Sequence, residues 1–96
     1  MFFSHDILRA DAKRAIVGVI RVIMQGDEAQ ATIKVDSFVP DRAGDSVVNG
    51  IRVAHVGTAN GKVDMDTGKM SGIIPNTLAD DVAGTIMQGL KFVSGK

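Results

Sequence analysis

The sequence predicts an α+β domain of two layers: an antiparallel sheet of about four strands with an N-terminal and a C-terminal helix. Three observations predict it. Residues 29–38 alternate polar and apolar side chains, residues 78–93 repeat apolar side chains at spacings of four and three, and clusters of Gly, Asn and Asp punctuate the stretch between them. Runs of strands flanked by helices are the pattern of a sheet covered by segregated helices.

The first expected element is a helix over 4–14. Ser4 or Asp6 can cap it, and Ile7, Leu8, Ala12 and Ala15 fall on one face with Arg9, Lys13 and Arg14 opposite. Residues 15–25 are ambiguous in period. Between Ile16 and Ile23 the chain is rich in β-branched residues, which lose χ1 freedom in a helix and suit a strand buried on both faces. A strand is therefore expected, although continuing the helix would also align Leu8, Ala12, Ile16, Val19 and Ile23. Gly26-Asp27-Glu28 reads as a turn.

Ala29 to Phe38 is the clearest strand. Gln30, Thr32, Lys34 and Asp36 alternate with Ala31, Ile33 and Val35, giving one wet and one dry face. Turn residues from Pro40 to Asp45 break the sheet, and 46–56 resumes extended structure with an interruption at Asn49-Gly50. Asn60-Gly61 is the strongest two-residue hairpin signal, with a returning strand over 62–72 that turns again at Asp66-Thr67-Gly68. The last element is a helix over 77–93. Asn76 or Thr77 can cap it, Asp80 and Asp81 complement its dipole, and Leu78, Val82, Ile86, Leu90 and Val93 form its apolar stripe. Gly84 and Gly89 weaken it by about 1 kcal/mol each relative to alanine, which points to close packing or fraying.

Composition bounds the function. The chain has 96 residues, 45% hydrophobic and 23% charged, which fits one small domain spanning 1–96 and excludes a disordered or collagen-like chain. Eleven basic and eleven acidic side chains cancel, so no net field recruits nucleic acid or anionic lipid. The absence of cysteine removes disulfides, thiolate catalysis and cysteine-ligated metals. The longest apolar run, Ala15 to Ile20, is far too short to span a bilayer, so a cytoplasmic protein is expected.

The motifs that suggest chemistry are incomplete. Gly57 to Lys62 has three residues between its glycines instead of four, and Val63 stands where a phosphate loop needs a hydroxyl. Asp64 and Asp66 alternate as in a calcium loop, but Gly68, Lys69 and Pro75 occupy the positions of its further ligands and glycine. Asp66-Thr67-Gly68 resembles the aspartic-protease triplet, yet Lys69 would set a cation beside the paired acids and only 28 residues follow. A hairpin turn accounts for it. Neither His5 nor His55 has a second ligand at metal spacing. No catalytic, cofactor or metal residue is assigned, and no cofactor is implied.

The leading expectation is a non-catalytic structural or adaptor module that self-associates. A segment apolar on both faces needs cover that terminal helices on one side do not supply, so Ile16, Val17, Val19, Ile20, Val22 and Ile23 are the candidate oligomer interface. A weaker alternative is a nucleic-acid-associated protein using a basic N-terminal face of Arg9, Lys13, Arg14 and Arg21. The weakest is a small-ligand or enzymatic site in a subunit cleft, drawing on Asp64, Asp66 or His55.

Overall fold

The structure, a computed structural model, describes residues 1–26, 29–73 and 80–94. It is mostly antiparallel β, curled into a nearly closed, barrel-like sheet with one C-terminal helix. The strands are β1 (Phe2–Ala10), β2 (Ile16–Gly26), β3 (Gln30–Pro40), β4 (Ser46–Val48), β5 (Ile51–Asp64) and β6 (Met70–Ser71), and the helix α1 is Asp80–Ser94. The strand order is β1-β2-β3-β5-β4, with β6 also pairing β5. Among the described residues no helix is long and apolar enough to cross a membrane.

The expected N-terminal helix does not exist, and the sheet has six strands rather than about four. Residues 2–10 form β1, paired antiparallel with β2 from Phe2 opposite Gln25 to Ala10 opposite Ile16. An isolated helix of that length is marginal in water. As a strand, the same residues put Phe3 and Ile7 onto the apolar core and obtain a full ladder with β2. The helix-capping residues serve other ends. Asp6 faces Arg21 across the ladder. Asp11 closes the β1–β2 loop, its carboxylate accepting from the Lys13 and Ala15 backbone N–H groups at 2.9 and 3.0 Å. Arg14 takes the left-handed conformation there, with φ 60°.

The expected strands over 16–25 and 29–38 are present as β2 and β3. The hairpin positions differ. Asn60-Gly61 lies inside β5, while Asn49 (φ 50°) and Gly50 (φ 77°) form the two-residue turn joining β4 to β5, as positive φ at both positions requires. Gly61 is small for another reason: a Cβ there would lie 2.6 Å from the Ile73 side chain and 2.8 Å from the Ser71 carbonyl. The turn at Asp66-Thr67-Gly68 joins β5 to β6, with the Asp64 carboxylate accepting from the Asp66 and Thr67 N–H groups. The expected turn at 26–28 and the helix start with its caps, Asn76 and Thr77, involve residues outside those described.

The apolar core changes sides of the sheet. On one face Val22, Met24, Ala31, Ile33, Val35 and Val63 are buried beneath Val82, Ile86 and Val93 of α1. Farther along, on the opposite face, Val19, Phe38, Val48 and Val53 form a second buried cluster with no helix over it among the described residues. The exchange is written into β3, whose buried residues run Ala31, Ile33, Val35 and then Asp36 and Phe38. One step of alternation is lost where the strongly twisted sheet rolls over on itself. This explains the double-sided apolarity of β2: Val22 and Met24 belong to one cluster and Val19 to the other.

Candidate functional site

On the face opposite α1, register sets four residues in a line across the sheet: Asp6 on β1, Arg21 on β2, Asp36 on β3 and Thr58 on β5. The Arg21 guanidinium grips Asp6 with two bonds, Nε to Oδ1 at 2.8 Å and Nη2 to Oδ2 at 3.2 Å. The bond to Asp6 raises the Arg21 pKa above its ordinary value against the opposing effect of burial. Asp36 is the buried member of the row. Its Oδ1 accepts from the Thr58 hydroxyl at 2.6 Å and lies 3.1 Å from His55 Nε2, while Lys34 Nζ is 3.6 Å from Oδ2. Burial pushes the Asp36 pKa up, but the bonds from Thr58 and His55 and the charge of Lys34 together hold it below the usual carboxylate value.

A β-bulge makes this cluster. Ser37 pairs with Gly57 and Phe38 with His55, so Val56 is an extra residue on β5. The bulge turns His55 back over Thr58, with Nε2 to Oγ1 at 2.9 Å. Aspartate, histidine and a hydroxyl are thus together, but not as a relay. A nucleophile–base–acid relay uses the two different imidazole nitrogens, one toward each partner. Here Nε2 faces both, and the hydroxyl proton goes directly to Asp36. The arrangement is a closed polar ring that satisfies a buried carboxylate.

Beside this row the same face carries a groove of about 540 Å³ between β2, β3 and β5. Ile23, Lys34 and Asn60 form one line of register across it, and Gln25, Thr32 and Lys62 the next. A smaller hollow of about 210 Å³ lies between Asp64 and the end of α1 at Leu90 and Lys91.

The candidate interface residues are split by the fold. Val19, Ile20 and Val22 are buried within the single chain, Ile16 and Ile23 are half-buried, and Val17 alone is exposed. The fold itself covers most of what the sequence left in need of a partner. The basic residues do not make a helical face, because there is no helix. Arg9 lies on β1, Lys13 and Arg14 in the loop, and Arg21 is engaged by Asp6. His55 sits at one end of the β3–β5 ladder opposite Phe38, and Asp64 at the other opposite Gln30, so the two are not brought together. Among the described residues no cluster of three His, Asp or Glu is placed to hold a metal ion.

Sequence reasoning placed Asp36 on a wet face and missed its burial, its partner Thr58 and the groove. The polar face of β3 was legible, but the partner strand and its bulge, which bring His55 and Thr58 to Asp36, were not. Compared with protein families, curated proteins and solved structures, the chain has no significant match. Its functional reading rests on geometry.

Proposed function

We propose that this chain is a non-catalytic module that assembles with a second copy of itself by pairing its β1 edges. The observation that carries this reading is the open edge of β1. Among the described residues the nine-residue strand pairs only with β2. Met1 and Gly26 exchange both backbone bonds, at 2.8 and 3.1 Å. In an antiparallel ladder such pairs alternate, so the backbone groups of Phe2, Ser4, Asp6 and Leu8 point outward. A long unpaired edge of this kind is a template for another strand.

The edge is self-complementary about His5. In a two-fold antiparallel pairing, Phe2 of one copy faces Leu8 of the other, Ser4 faces Asp6, and on the opposite face Phe3 meets Ile7. Phe2 is 57% and Leu8 45% exposed in the single chain, which is uncommon for two large apolar side chains on one strand. The helix extends this surface. Phe92 packs against Phe3 in a tilted arrangement, 5.7 Å between ring centroids, and remains half exposed beside the same edge. The cytoplasmic setting expected from the sequence accompanies this reading.

Sedimentation at micromolar concentration tests it. The expected species is a dimer, and Ser4→Pro is expected to yield a monomer with unchanged circular dichroism, because the lost N–H faces outward and leaves the β1–β2 ladder intact. Leu8→Lys should weaken the dimer in the same way. A wild-type protein that stays monomeric, or a dimer indifferent to both substitutions, would overturn the reading.

A further inference from the structure

We infer that the groove on the open face is a binding site for a small organic carboxylate with an apolar body, of the kind represented by a medium-chain fatty acid. Its volume of about 540 Å³ falls within the range of roughly 300–1,000 Å³ typical of small-molecule sites. Two lysines, Lys34 and Lys62, line it, and among the described residues no acid does. In register Lys34 faces Asn60 and Lys62 faces Thr32, so the two lysines occupy diagonal positions on β3 and β5. Lys34 shares its charge with Asp36 at 3.6 Å, whereas Lys62 makes no ion pair among the described residues. In a chain of zero formal charge, this is a local excess of positive charge over an apolar floor.

The floor selects the rest of the ligand. Ile23, half-buried on β2, and the methylene stems of the lysines present hydrocarbon between the charged tips and the Gln25 and Asn60 amides. A carboxylate has the charge for Lys62, and its alkyl chain covers Ile23. An inorganic anion would leave that floor wet, and an uncharged lipid would leave the Lys62 ammonium unanswered.

The test is a titration of the full chain with decanoate below its micelle-forming concentration, followed by amide chemical shifts. Perturbations are expected at Ile23, Thr32, Lys34, Asn60 and Lys62. Lys62→Glu should weaken binding by about tenfold. Asn60→Trp, which fills the groove from an exposed position, should abolish it, and decanol should bind more weakly than decanoate. The inference is overturned if decanoate leaves these amides unmoved. It is equally overturned if Lys62→Glu and Asn60→Trp bind as the wild type does, if decanol binds as well, or if anionic lipid vesicles bind where free decanoate does not. The site lies on β2, β3 and β5, so Ser4→Pro protein is expected to bind decanoate whether or not β1 pairing occurs.

Discussion

Asp36 and Thr58 stand directly opposite each other on β3 and β5, and the Thr58 hydroxyl donates to the Asp36 carboxylate at 2.6 Å. This bond marks where the core passes from one face of the sheet to the other. A buried acid is tolerated there because donors and cations surround it: Thr58, His55, Lys34 and, opposite it on β2, Arg21.

Stability should therefore depend on acid pH through Asp36. Its folded pKa is held below the ordinary value, so the contribution is complete above the unfolded pKa of about 3.9 and is lost as pH falls through the lower folded value. Chemical denaturation across this range is expected to show a slope that shrinks in Asp36→Asn. At neutral pH, Thr58→Val should cost about 1–3 kcal/mol, because it removes the closest donor to a buried carboxylate.

The Asp6–Arg21 pair should contribute less than its geometry suggests. Both bonds are good, but the side chains remain partly exposed, Arg21 at 35% and Asp6 at 19%. A double-mutant cycle with Asp6→Ala and Arg21→Ala is expected to give a coupling of about 1 kcal/mol or below, shrinking in high salt.

The two helix glycines should respond oppositely. Nothing lies within 4 Å of a Cβ at Gly84, so Gly84→Ala is expected to stabilise the protein by up to about 1 kcal/mol. At Gly89 a Cβ would run into the Met24 sulfur and come 2.8 Å from the Phe3 ring. Gly89→Ala should destabilise by about 1–3 kcal/mol as α1 is pushed off β1 and β2. Thermal melts of the two variants decide this.

The two Asn-Gly pairs offer a third contrast. Gly50→Ala forces a side chain into φ 77° and should cost on the order of 1 kcal/mol. Gly61→Ala carries no such strain but collides with Ile73 and Ser71, so its cost should fall with Ile73→Ala in the same chain. Urea midpoints of the single and double variants measure it.

Much of the sheet was legible because β3 alternates so plainly and β2 is so rich in β-branched residues. The C-terminal helix was legible from the spacing of Val82, Ile86, Leu90 and Val93. What misled was β1. Ile7, Leu8, Ala12 and Ala15 satisfy a helical period, and Ser4 and Asp6 can cap one. The same segment also alternates Phe3, His5, Ile7 against Ser4, Asp6, Leu8, and only a partner strand decides between the two patterns. The apolar run of β2 was harder to read. Val19 is buried on one face and Val22 and Met24 on the other, which a local pattern does not separate from a strand covered on both faces along its length. For the candidate site, Lys34 and Asp36 were visible as the wet face of β3. Their partners Thr58 and Lys62 are 22 and 28 residues away and needed the β3–β5 register to be found.

The change of side at Val35 and Asp36 leaves the domain with two apolar centres that have no residue in common. The one under α1 is the larger, while the one at the β4–β5 turn holds only four buried side chains. Amide protons around Val48 and Val53 should consequently trade with solvent deuterium sooner than those of Met24 and Ile33, through an opening that peels the β4 hairpin away and leaves the helix seated.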